Sequence, residues 1–148
     1  MIDQLNEDFE LVNTYNEIFT NFYMGSILTD TNQFDYVFCC TYDIVVKPKQ
    51  KQFNIHVPFN DDNTIPDINY LLDIVSLVEF ALDNHKKVYI HCTSGMNRSA
   101  LICALLLIKV KCYSPIEAIE HLRAIRSGYV LNNQKFYNWL INDSLNLI

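Results

Sequence analysis

The chain has 148 residues, 50% of them hydrophobic and 19% charged, with only 3 Gly and 4 Pro. A chain of this length buries roughly two thirds of the surface it exposes when unfolded, so one globular domain over 1–148 is expected without a zinc or disulfide staple. Eleven Lys and Arg against seventeen Asp and Glu leave a net charge of −6, which argues against a surface built on counterion release from DNA.

The five cysteines, Cys39, Cys40, Cys92, Cys103 and Cys112, are odd in number. Met1 is followed by acidic and polar residues instead of a basic region and an apolar signal core. A reducing, cytoplasmic setting is expected. The most apolar stretch covers residues 101–108 before Lys109, far short of the roughly 20 apolar residues a bilayer requires, so it reads as a buried helix and no membrane partner is expected.

In chain order, Leu5, Phe9, Val12 and Tyr15 recur at helical spacing and predict an amphipathic helix over residues 5–18, an N-terminal arm of about residues 1–17. Residues 34–41 and 52–59 are aromatic and β-branched runs of strand length, separated by the lysine-rich breaker of residues 47–51. That lysine run is read as solubilising edge protection. Residues 66–82 carry Ile68, Leu71, Leu72, Val75, Val78 and Leu82 at helical spacing, with Thr64 and Pro66 as start signals. A short strand over residues 87–91 turns at Thr93-Ser94-Gly95 into an apolar helix over residues 97–110. Ser114, Pro115 and Glu117 form a capping-box pattern opening a helix over residues 115–127, with Gly128 as its stop. A last helix is expected over residues 133–145. The order predicts an α/β sandwich.

The chemistry concentrates between the 87–91 strand and the helix after it, where Cys92 and Arg98 have five residues between them. A loop of that length curling into a helix N-terminus can aim the amides of Thr93, Ser94, Gly95, Met96 and Asn97 at one oxyanion, with the helix dipole adding positive potential. Gly95 supplies the freedom the curl needs, and the fork of Arg98 can hold two phosphoryl oxygens. The same positive environment lowers a cysteine pKa of ~8.5 and makes Cys92 a thiolate nucleophile. The competing reading is an inert core cysteine beside a surface arginine, which the combined pattern disfavours.

Residues 91–99, His-Cys-Thr-Ser-Gly-Met-Asn-Arg-Ser, resemble the HCxxGxxRS signature of the cysteine-dependent protein phosphatases, specifically the dual-specificity subfamily. Phe22 to Ser26 resemble that family's N-terminal strand and turn, and Arg123, Arg126, Asn133 and Phe136 its C-terminal pattern. Residues 56–62 and 95–99 are most similar to the poxvirus members. The resemblance implies a single-domain dual-specificity phosphatase-like fold, a central mixed sheet flanked by helices. It further implies hydrolysis of phosphotyrosine and phosphoserine/phosphothreonine in a protein substrate through a phosphocysteine, with no cofactor and no metal.

The resemblance also implies a general acid about thirty residues before the cysteine, where two aspartates stand. Asp61, three residues after Pro58 and thirty-one before Cys92, is preferred; Asp62 is the alternative, favoured by counting back from Asp67. Ser99 resembles the hydroxyl that stabilises the departing thiolate, with a first-turn cap as its plainer reading. His91 is expected to support the loop rather than act as a base. Arg126 is expected to border the pocket and meet a second phosphate or an acidic side chain, against a solvated helix face for both Arg123 and Arg126. Cys39 and Cys40 read as core filler rather than a redox pair. His56, His85 and His121 have no metal-ligand spacing with the cysteines.

An RNA 5′-triphosphatase is the alternative enzyme reading, because His91-Cys92-Thr93 and Asn97-Arg98 resemble that branch while Ser94 replaces its typical histidine. A catalytically weak phosphate-binding module is the reading from a different class. A lipid phosphatase lacks the loop lysine it would need, and a sulfurtransferase would not need the Asp61 loop. A homodimer through the N-terminal arm is a further expectation.

Overall fold

The computed structural model describes residues 15–42 and 51–147. The first fourteen residues of the expected arm and most of the lysine run therefore lie outside the described residues. Within them the elements run β1 (Tyr15–Phe19), β2 (Phe22–Ser26), β3 (Tyr36–Cys39), β4 (Phe53–His56), α1 (Ile68–Asp83), β5 (Val88–Cys92), α2 (Arg98–Lys111), α3 (Pro115–Ile125) and α4 (Gln134–Asp143), closed by a 3-10 turn at Ser144–Asn146.

One expectation fails at the start. Tyr15 to Ile18, the end of the predicted helix, is instead strand β1, paired antiparallel to β2 across a tight turn in which Asn21 adopts φ 68°. The hydrogen bonds of β2, a non-local partner invisible to periodicity, decide the matter.

The strands form one mixed sheet in the order β1-β2-β5-β3-β4, with β2, β5, β3 and β4 mutually parallel. β5 is central and buried along its whole length, as its apolar run requires. Successive side chains alternate faces. Val88 and Ile90 join Phe22, Met24 and Phe38 in the main core against the helices, whereas Tyr89 belongs to a smaller cluster with Phe34 and Val37. There the Tyr89 and Phe34 rings stack at 4.8 Å, with Tyr15 and Tyr23 against Phe34.

α2 is the centre of the main core, with every residue from Ser99 to Ile108 buried. It is thus apolar all round, as a helix enclosed by a sheet and two other helices must be. α3 opens with both bonds of the predicted capping box, Glu117 N–H to Ser114 Oγ and Ser114 N–H to the Glu117 carboxylate, each at 3.1 Å. It ends at Ile125, two residues before the expected boundary. α1 starts later than expected, because Asp67 rather than Thr64 caps it by accepting the Tyr70 N–H.

Candidate active site

β5 lies between β2 and β3, and the register sets Ser26 level with Cys92 and Cys39 level with His91. The three parallel strands therefore end on one edge, where diverging connections open a crevice. The chain leaving β5 fills that crevice and enters α2, with Cys92 at its floor, 2% exposed.

The loop's shape is set by what its carbonyls touch. The Thr93 carbonyl accepts the Ile27 N–H (3.2 Å) and the Met96 carbonyl accepts the Leu131 N–H (2.7 Å). The carbonyls of Ser94 (2.8 Å) and Gly95 (2.9 Å) accept Nη2 and Nε of Arg126. Four consecutive carbonyls are thus tied to the surrounding collar. In a trans peptide the N–H opposes its own carbonyl, so the amides of Ser94, Gly95, Met96 and Asn97 turn to the loop's interior. This is an anion cradle made by backbone alone.

Gly95 makes the curl at φ +71°, and a Cβ there would stand 2.6 Å from the Gly25 carbonyl oxygen. Only glycine fits both the conformation and the contact.

Burial pushes the Cys92 thiol up, but this is outweighed by the hydroxyl and amide of Ser99, the charge of Arg98 and the Gly95 amide, leaving the thiol below its ordinary value. The Ser99 hydroxyl lies 3.3 Å from Sγ. Burial instead pushes the thiols of Cys40 and Cys103 well up. Among these three buried cysteines only Cys92 is driven toward the thiolate. Arg98 donates Nη2 to Thr93 Oγ1 at 3.1 Å, which turns the guanidinium back over the loop, and its buried Nε has no partner among the described residues. A buried donor of that kind calls for an acceptor, and a tetrahedral oxyanion in the cradle would supply one.

The two aspartates separate clearly. Asp61 receives Asn97 Nδ2 on Oδ2 (3.2 Å) and Asn133 Nδ2 on Oδ1 (2.8 Å), so its carboxylate is joined to the loop. Asp62 closes a local turn, its Oδ1 accepting the backbone N–H (3.0 Å) and the hydroxyl (2.5 Å) of Thr64. The geometry therefore favours Asp61 for any chemistry shared with Cys92.

Arg126 requires a correction. It is 6% exposed and lies beneath the loop, donating to the two carbonyls and, through Nη1, to Asn16 Oδ1 (2.9 Å). It does not stand on the pocket rim. Arg123 is likewise no solvated face: its Nε donates to the Val130 carbonyl (2.9 Å) and its guanidinium lies over the Tyr137 ring. Both arginines fasten backbone.

His91 is 5% exposed and packs its ring on Tyr89. Burial lowers its pKa to about 4, partly offset by the Cys92 backbone, so the ring is neutral at pH 7. Among the described residues no group of three His, Cys, Asp or Glu side chains could hold a metal ion, and no helix is long and apolar enough to cross a membrane.

Residue spacing did not reveal the strap formed by Val130, Leu131, Asn132 and Asn133. Leu131, fully buried, takes φ 59°, an uncommon backbone for a branched residue, and thereby offers its N–H to Met96. Asn132 accepts Asn97 Nδ2 at 2.6 Å, and Asn133 caps α4 by accepting the Phe136 N–H. Asn133 enters the sequence reading only through the resemblance of the C-terminal pattern, and Asn132 not at all, because their partners lie more than thirty residues away.

A buried low-pKa cysteine at the floor of an amide cradle, closed by an arginine at the end of a parallel strand, defines a cysteine-based phosphate-handling domain. The chain belongs to the dual-specificity phosphatase family, because the model for "Dual specificity phosphatase, catalytic domain" matches residues 20–144. It is similar to the dual specificity protein phosphatase H1 of Variola virus, 30% identical over 123 residues, covering 76% of this chain and 72% of that protein. It also resembles the cyclin-dependent kinase inhibitor 3 of Mus musculus, 38% identical over 85 residues, covering 57% of this chain and only 40% of that protein. Among solved structures, human DUSP28 superimposes with a TM-score of 0.75 at 13% identity, over 90% of this chain and 99% of that one. The mixed sheet and its flanking helices are those of the family.

Proposed function

We propose that the protein is a cysteine-dependent phosphatase that hydrolyses phosphotyrosine and phosphoserine or phosphothreonine in protein substrates. The observation that carries this reading is the cradle: four inward amides and Arg98 around a thiol held below its ordinary pKa. The Cys92 thiolate attacks phosphorus and forms the S–P bond as the P–O bond to the leaving group breaks. Asp61 gives its proton to the leaving oxygen. Water then attacks phosphorus and returns a proton to Asp61, the S–P bond breaks, and phosphate leaves. Ser99, 3.3 Å from Sγ, stabilises the thiolate that departs in this second step. Charge that spreads over the phosphoryl oxygens meets donors already fixed in place, which is where such a site gains most of its rate.

The test is hydrolysis of p-nitrophenyl phosphate in EDTA and reductant by the native chain and by Cys92→Ser. Turnover that persists in EDTA and vanishes with the thiol supports the reading; a folded, reduced chain without turnover overturns it in favour of a phosphate-binding module. Phosphopeptides and triphosphate-ended RNA run in parallel identify the substrate class, with release of γ-phosphate from RNA as the contrary result.

A further inference from the structure

We infer that Asn97 is a positioning residue for the acid: it couples the phosphate-binding loop to Asp61, so that the carboxyl group is presented from the same rigid unit that holds the phosphoryl group. The inference rests on the phosphatase reading and deepens it.

Asn97 is the last residue of the loop and caps α2 by position, yet its side chain makes no capping bond. It is 9% exposed, and all of its polar capacity is directed sideways. Nδ2 donates to Asp61 Oδ2 (3.2 Å) and Asn132 Oδ1 (2.6 Å), while Oδ1 accepts the Asn133 N–H (2.9 Å). A serine or aspartate here could cap the helix; only a terminal amide, with two N–H donors and a carbonyl acceptor, can make these three bonds.

Asn133 completes the arrangement from the other side. Its Nδ2 donates to Asp61 Oδ1 (2.8 Å) and to the Asp62 carbonyl (2.9 Å) while its Oδ1 caps α4. The acid loop is thus held by amides that belong to the cradle and to the strap. The strap in turn is fixed to the cradle through the bond from Leu131 to Met96. Both Asp61 oxygens are engaged, so delivery of a proton requires one donor to give way. The Asn97 contact is the longer of the two and joins the loop that the substrate occupies.

The experiment uses leaving-group dependence, which a purely structural role does not move. A general acid matters little for p-nitrophenolate and much for a poorer leaving group such as phenolate. Asn97→Ser is expected to lower kcat on phenyl phosphate about tenfold more than kcat on p-nitrophenyl phosphate. It should also weaken the alkaline limb of the kcat profile. Asp61→Asn is expected to show the same selectivity, and the double variant no further loss, because the two act as one unit. Asn133→Ser retains a cap oxygen for α4 and removes the donor to Asp61, so it repeats the test if Asn97→Ser folds poorly. Equal losses on both substrates, or additive losses with Asp61→Asn, would overturn the inference while leaving the phosphatase reading intact. Activity that survives Cys92→Ser would overturn both.

Discussion

At the scale of single residues, the site depends on groups whose protonation and shape are set by a few neighbours. Removing the Ser99 hydroxyl takes away the largest of the effects lowering the Cys92 pKa. Ser99→Ala should therefore shift the pH midpoint of Cys92 alkylation by iodoacetamide upward, with Arg98 and the amides still in place. Gly95→Ala meets both a positive φ and a 2.6 Å contact with the Gly25 carbonyl, so activity should be lost with a stability cost of about 1–3 kcal/mol, read from urea midpoints. His91 gives a pH effect with a defined sign. Its folded pKa of about 4 lies below the ordinary 6.5, so between these values the unfolded chain binds more protons and stability rises with pH. The contribution is fully present above pH 6.5 and is lost as pH falls toward 4, up to about 3 kcal/mol. His91→Gln should flatten the difference between urea midpoints at pH 7 and pH 4.5; an unchanged difference would refute the assignment. The placement of Cys92, Arg98 and Gly95 around one loop was legible in the sequence because it is local to nine residues. Arg126 was misread because its identity says "cation" while only the packing says that its partners are carbonyls.

At the scale of elements, legibility followed the range of the interactions that decide each one. α2 and α3 announce themselves through a continuous apolar run and a capping box, signals contained within a few residues. β1 does not, since its state is decided by β2 and not by its own spacing. The strap 130–133 is hidden for the same reason: its bonds reach back to Met96, Asn97 and Asp61. Where the signal is local, the energy is local too. Ser114→Ala should cost about 1 kcal/mol of stability and leave turnover intact, because Ser114 caps the end of α3 opposite to Arg126, the residue that touches the loop. A simultaneous loss of turnover would mean that α3 transmits its position to the loop through Arg126.

At the scale of the whole molecule, a central strand and an enclosed helix place Cys92 at their junction. Cys92 ends β5 and α2 begins at Arg98, so the core that stabilises the fold also fixes the distance between thiol and guanidinium. Leu105→Ala, at a fully buried position of α2, should cost about 2–5 kcal/mol through the cavity it leaves, measured by denaturant unfolding. The chain also carries one tryptophan, Trp139, 8% exposed in α4. α4 is the helix capped by Asn133, the same side chain that holds Asp61. Indole emission in this protein therefore comes from a single place, mechanically joined to the loop that carries Asp61. Undocking of that helix would be seen as a red shift from an unlabelled sample, ahead of any global loss of circular dichroism.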